Sequence, residues 1–228
     1  MSHHINITRI KAVNNALVEL RDKVVFVGGA TVSLYADSIS EEIRPTEDID
    51  IVVEIWARKD YIEIDEKLRK LGFINDQESG IICRYKIDGL VVDIMPTKSE
   101  ILGFSNKWYQ PGYEHSIGYS LSETKIRIFS PPYFLASKLE AFMGRGNLDG
   151  RTSKDFEDIV FVLQNRSSIW SELVDSNTEI FEYLKDTFAN LMSNPNFEEW
   201  VDCHAGFGNI SATYYIMEEL NKFIQPPK

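Results

Sequence analysis

Val24-Val25-Phe26-Val27-Gly28-Gly29-Ala30-Thr31 and, further along, Arg44-Pro45-Thr46-Glu47-Asp48-Ile49-Asp50-Ile51-Val52-Val53 are the stretches from which the fold can be read. In the first, a short apolar strand breaks at two glycines and a helix over 30–36 begins at once. In the second, a β-branched strand over 48–55 carries carboxylates at alternate positions. Side chains at i and i+2 of a strand share a face, so Asp48 and Asp50 stand together while Ile49 and Ile51 turn to the core. Aspartate is a poor strand former, and two of them among Ile and Val need a reason. Neighbouring carboxylates repel unless a cation lies between them, and Mg²⁺ favours carboxylate oxygens together with substrate phosphates. An edge strand with a solvated acidic face is the plainer alternative. At Gly28-Gly29, free N–H groups at a helix start favour an anion and glycine lets a phosphate come close; a simple tight turn is the alternative. A dinucleotide fingerprint is excluded, because the third glycine is missing.

Outward from this centre, Ile10, Val13, Leu17 and Leu20 recur at helical spacing and predict an amphipathic helix over 6–23. Residues 38–47 form a polar loop. A helix over 59–71 is closed by Gly72. Residues 80–95 read as a hairpin turning at Asp88-Gly89, which pairs Ile87 with Leu90 and Arg84 with Asp93. Asp93 then lies on the polar face beside Arg84, as a third carboxylate of the acidic face or as half of a weak cross-strand salt bridge. Pro96 ends the strand. Two more strands follow in 114–129, after a Gly/Pro-punctuated loop holding Trp108, Tyr109 and Tyr113, which suit either base stacking or packing. The glycines between 144 and 150 lack phosphate-loop spacing. After Pro131-Pro132 helical patterns dominate: 133–143, 153–163, 179–192 and 211–223. The expected fold class is α+β, with a mixed sheet and flanking helices over 1–130 and a helical bundle over 131–228 that completes a nucleotide-binding cleft.

The net charge of −11 over 228 residues argues against strong nonspecific nucleic-acid binding. The two cysteines, Cys83 and Cys203, lie far apart and suggest no disulfide framework, so a reducing cytoplasm is the expected compartment. No Cys or His pair has zinc spacing, no run is long enough to span a bilayer, and no signal peptide is evident at the start.

Gly28, Gly29, Asp48, Asp50 and Asp93 together resemble the nucleotidyltransferase superfamily of the polymerase-β type: strand, Gly-Gly or Gly-Ser, helix, Asp-x-Asp, then a later Asp. The segment Arg44-Pro45-Thr46-Glu47-Asp48-Ile49-Asp50 is similar to the Arg-x-Thr-x-Asp-x-Asp of the abortive-infection (AbiEii-like) toxin branch. So are Leu135-Ala136-Ser137-Lys138-Leu139-Glu140-Ala141, Arg145, and Lys154-Asp155-Phe156-Glu157-Asp158-Ile159. The resemblance covers about 24–163. It implies a Mg²⁺-dependent enzyme, Mn²⁺ serving as well, that moves a nucleoside monophosphate from an NTP such as ATP to an acceptor hydroxyl. Asp48, Asp50 and Asp93 would be the catalytic metal ligands, Asp93 also helping to deprotonate the acceptor. Gly28, Gly29, Thr31, Lys138, Arg145 and Asp158 would bind the nucleotide. Gly29 stands where many members have Ser, so any hydroxyl contact to phosphate falls to Thr31. The toxin branch further implies a tRNA end or a protein side chain as acceptor, and an antitoxin partner. Antibiotic modification on the same core, or an inactive fold that binds a nucleotide or partner, are the alternatives.

Lys138 can be argued without the resemblance. On a helical wheel it falls within the apolar arc of Phe134, Leu135, Leu139 and Phe142, with Arg145 on the same arc. A cation in an apolar stripe is costly unless it meets an anion, and a triphosphate would be that anion; snorkelling at the stripe's edge is the alternative. Thr152-x-x-Asp155 matches a capping box, which is the expected role of Asp155, while Asp158 lies off the apolar face. Without a bound cation, the three carboxylates Asp48, Asp50 and Asp93 are expected to repel one another.

Overall fold

A computed structural model describes residues 2–38, 43–55, 58–98, 106–145, 149–205 and 210–225. Residues 39–42 of the expected polar loop, and residues 146–148 between the glycines at 144 and 150, lie outside the described residues. The chain divides into two compact units, one of residues 1–33 and 39–130, the other of 34–38 and 131–228.

The first unit is built on a seven-stranded mixed sheet in the order β3-β4-β5-β2-β1-β7-β6. The strands are β1 (Val24–Val27), β2 (Asp48–Val53), β3 (Ile74–Asn75), β4 (Arg84–Ile87), β5 (Leu90–Pro96), β6 (Ile117–Leu121) and β7 (Thr124–Ile128). β2–β5 and β1–β7 are parallel pairs, and the other neighbours are antiparallel. The apolar run of β1 is buried throughout, as a central strand covered on both faces requires. In β2, Ile49, Ile51, Val52 and Val53 are buried while Asp48 and Asp50 are half-buried. The period of two thus separates a carboxylate face from the core.

Helices α1 (Ser2–Ala16), α2 (Arg58–Lys70) and α3 (Tyr109–Glu114) belong to this unit. α1 is shorter than its pattern predicted. Val18 takes φ +45°, and the chain continues as a 3₁₀ turn over Val18–Lys23. The helix expected after the glycines is also 3₁₀, over Gly29–Tyr35. Asp88 and Gly89 both have positive φ, +48° and +78°, the geometry of a tight hairpin turn. The register pairs Ile87 with Leu90 and Arg84 with Asp93. Trp108 and Tyr113 are buried, and Tyr113 packs its ring against the Arg127 guanidinium, 4.6 Å from the centroid. These aromatics are packing residues rather than a stacking platform.

The second unit is helical: α4 (Pro131–Gly144), α5 (Lys154–Asn165), α6 (Ile169–Val174), α7 (Thr178–Met192), α8 (Phe197–His204) and α9 (Ile210–Ile224). Phe142, Phe156, Phe197 and Trp200 form its aromatic centre, with ring centroids 5.4–6.3 Å apart. The segment 34–38 is tied in at three points. Asp37 N–H donates to Asn165 O, Arg166 Nη1 to Tyr35 O, and Ser167 N–H to Asp37 Oδ2 at 2.8 Å. No helix among the described residues is long and apolar enough to cross a membrane.

Candidate active site

The sheet register brings Asp48, Asp50, Asp93 and Arg84 to one face. Asp50 is level with Asp93 across the parallel β2–β5 pair, and Asp93 is level with Arg84 across the hairpin. Arg84 holds Asp93 in a fork, Nε to Oδ1 at 2.8 Å and Nη2 to Oδ2 at 2.7 Å, and Nη2 also reaches Asp48 Oδ2 at 3.1 Å. The hydrogen bond to Asp93, more than any other influence, raises the guanidinium further above its ordinary range. The expected mutual repulsion of three bare carboxylates is therefore corrected: a fixed cation already stands between two of them. Asp93 lies on the acidic face and is salt-bridged to Arg84.

Asp50 faces Gly28. Gly28 has φ +71°, and a Cβ there would lie 1.9 Å from Asp50 Oδ2. Only glycine lets this carboxylate lie against the turn after β1. At Gly29 a Cβ would meet Thr46 Cγ2 at 2.9 Å and Arg44 Nη2 at 3.0 Å. The two glycines thus carry an acid on one and a guanidinium on the next. Thr31 does not present its hydroxyl to a ligand; it is fully buried and donates to Gly28 O at 2.9 Å. Its role is to hold the glycine turn.

The segment 44–46 is itself held by α1. Asn6, fully buried, donates through Nδ2 to Arg44 O at 3.4 Å and accepts from Thr46 N–H at 3.2 Å. Arg9 donates to Thr46 O. Neither residue drew notice in the sequence, because a polar residue on a helix pattern gives no sign of a partner some forty positions away.

The described residues contain no cluster of three or more His, Cys, Asp or Glu arranged around a cation position. The fit to a divalent cation is therefore partial. Asp48 keeps Oδ1 outside the Arg84 contact, and Asp50 shares its strand face, so these are the two residues that would hold one. Both oxygens of Asp93 are engaged by Arg84. Next to them, burial first and the Asp93 charge second push the Cys83 thiol up to about 11.

In the helical unit, Lys138 is buried, as its place in the apolar arc demanded, and its anions are protein carboxylates. Nζ lies 2.6 Å from Asp158 Oδ2 and 3.2 Å from Asp155 Oδ1. Arg145 Nη1 stands 2.8 Å from Asp155 Oδ2, an ion-pair contact, with its side chain 69 % exposed. Two expectations are corrected here. The cap of α5 is Ser153, which accepts from Phe156 N–H, while Asp155 is a buried partner of Lys138 and Arg145. Asp158 is not off the apolar face but buried within it.

A Gly-Gly turn carrying one of two carboxylates from the adjacent strand, on a mixed sheet with a following helical unit, defines a nucleotidyltransferase-type protein. The family model described as the nucleotidyl transferase AbiEii toxin, type IV toxin–antitoxin system, matches residues 12–190. The chain belongs to this family and is a nucleotidyltransferase. A search of curated proteins gives no match. Among solved structures the fold is similar to that of an antigenic nucleotidyltransferase-like protein from Paracoccidioides brasiliensis. The TM-score is 0.53 at 18 % identity, covering 89 % of this chain and 94 % of that one.

Proposed function

We propose that this chain transfers a nucleoside monophosphate from an NTP to an acceptor hydroxyl, with Asp48 and Asp50 holding a divalent cation, Mg²⁺ or Mn²⁺. The observation that supports this most is the seating of Asp50 on Gly28, beside Asp48 on one strand face. When bound there, the cation would supply positive charge that stabilises the charge developing on the phosphates during transfer. The chain's own residues do the rest. Gly28 lets Asp50 lie against the turn, and the Arg44 guanidinium beside Gly29 brings positive charge to it. The acceptor oxygen forms a bond to the α-phosphorus as the α–β bridging bond breaks. Pyrophosphate leaves, and the hydroxyl proton passes to a carboxylate of the face. Lys138, Arg145 and Asp158 keep their proposed nucleotide role, in which Arg145 is the cation that solvent reaches.

Family membership favours a toxin whose acceptor is a tRNA end or a protein side chain, working in the cytoplasm and restrained by an antitoxin from the same cell. The test is incubation with Mg²⁺ and each α-labelled NTP in turn, offering total tRNA, cell protein and an aminoglycoside panel. Label in the tRNA or protein fraction, lost in Asp48→Asn, is expected. Label confined to the aminoglycosides would reassign the acceptor, and label in no fraction would overturn the transfer reading.

A further inference from the structure

We propose that Asn6 and Arg9 are positioning residues of the nucleotide site: from α1 they hold residues 44–46 against the Gly28-Gly29 turn, and the affinity for NTP depends on that hold. The inference rests on the transferase reading above and names residues that act on the site through others.

Residues 43–46 belong to no helix or strand, yet Ile43 and Thr46 are buried. Buried backbone N–H and C=O groups need partners, and no strand ladder supplies them here. Pro45 has no N–H to give and biases Arg44 to an extended backbone. The partners come from α1. Asn6 and Arg9 are three positions apart on that helix and so share a face. Asn6 Oδ1 accepts from Thr46 N–H at 3.2 Å and from the Thr46 hydroxyl at 3.4 Å, while Nδ2 donates to Arg44 O at 3.4 Å. Arg9 Nη1 donates to Thr46 O. Asn6 is fully buried, at a position where an apolar side chain would pack without the cost of burying an amide. Each of these contacts falls on Arg44 or Thr46.

The other side of the segment lies on the turn. A Cβ at Gly29 would stand 2.9 Å from Thr46 Cγ2 and 3.0 Å from Arg44 Nη2, so the segment fills the space in which any other residue would carry its side chain. Two residues after Thr46, β2 begins with Asp48. A shift of residues 44–46 therefore moves the charge beside Gly29 and the entry to the carboxylate strand together. Asn6 and Arg9 both precede residue 12, where the family match begins.

The experiment measures by titration calorimetry the Kd of non-hydrolysable ATP, GTP, CTP and UTP analogues with Mg²⁺. Arg9→Met keeps the stem and removes the donor. It should weaken binding about tenfold, the order that losing one charge-assisted hydrogen bond carries. Arg9→Lys keeps a donor and should bind as wild type does. Val13→Ala, a change at a buried position further along the same helix, should leave Kd unchanged. In a Gly29→Ala background, where the added methyl already displaces Thr46 and Arg44, Arg9→Met should cause no further loss, because changes that act through one segment do not add. Asn6→Ala should lose at least as much as Arg9→Met; if its buried site does not tolerate the change, the half-buried Arg9 decides alone. An unchanged Kd in Arg9→Met, an equal loss in Val13→Ala, or a full further loss on the Gly29→Ala background would overturn the positioning role and leave the transferase reading standing. No binding of any analogue by wild type would overturn the nucleotide reading itself, and the inference with it.

Discussion

Replacing Gly28 by alanine places a Cβ 1.9 Å from Asp50 Oδ2, 2.7 Å from its Cγ and 2.9 Å from its Cβ. Because the Asp50 Cβ is also too close, turning the carboxylate away does not clear the collision and the strand has to shift. The left-handed backbone adds a penalty of about 1–2 kcal/mol for any L-residue, and overpacking adds about 1–3 kcal/mol. Gly80 supplies the control. It has nearly the same φ, +70°, and a Cβ there meets nothing within 4 Å. Gly80→Ala carries the backbone penalty alone, so the two variants should differ by about 1–3 kcal/mol, a Tm gap of about 2–12 °C for a chain of this size. The larger difference is in catalysis. A misplacement of about 1 Å in a reacting constellation costs about 10²-fold, so Gly28→Ala should lose transfer to that extent while Gly80→Ala keeps it. Thermal unfolding and initial rates on the two proteins test this. Equal Tm values and equal rates would refute the seating of Asp50 on Gly28 as a functional feature.

Lys138→Met should destabilise the protein by about 3–5 kcal/mol, since it takes the buried cation from Asp158 and one of two cations from Asp155; adding Asp158→Asn should restore part of the loss in denaturant melts, and an unchanged midpoint for Lys138→Met would argue against the buried ion pairs. Asp37 has its carboxyl held below the usual carboxylate range, chiefly by the Ser167 backbone N–H and then by further hydrogen bonding to Ser167. A folded-state pKa below the unfolded one contributes stability that is present above the unfolded value of about 3.9 and is lost as pH falls through the folded value. Acid melts of Asp37→Asn should therefore lack that part of the decline, and superimposable wild-type and variant curves below pH 4 would count against it. Cys83 is buried and Cys203 exposed, so a thiol reagent at pH 8 should label one cysteine natively and two in denaturant; native labelling of both would contradict the packing around β4.

Local chemistry was legible and distant pairing was not. The Asp88-Gly89 turn, the Arg84–Asp93 register and the shared face of Asp48 and Asp50 all follow from short-range rules of strand and turn. Arg84 was therefore found beside Asp93, but its reach to Asp48 was not, because that depends on β5 lying parallel to β2. Lys138 was seen to require an anion. The anions came from α5, and no helical wheel of α4 contains them. Pro111 and Gly112 interrupt the helical pattern of α3, so its sequence reads as loop; Gly112 is there because a Cβ would meet the Phe129 ring at 2.8 Å. The short helices α6 and α8 and the two-residue β3 gave too little periodicity to stand out. Asn6 and Arg9, which secure residues 44–46 to α1, depend on contacts that no local pattern carries.

The central claim is that the Asp48–Asp50 face transfers a nucleotidyl group, and it is tested most directly by following both ends of the donor at once. ATP and the other NTPs, labelled separately at the α- and γ-phosphates, are incubated with wild type or Asp50→Asn, Mg²⁺ and the acceptor fraction, with EDTA as control. The account predicts that α-label moves to the acceptor, γ-label leaves in pyrophosphate, and both events vanish in Asp50→Asn and with EDTA. Transfer of the γ-label to the acceptor, or undiminished transfer of the α-label by Asp50→Asn, would contradict it.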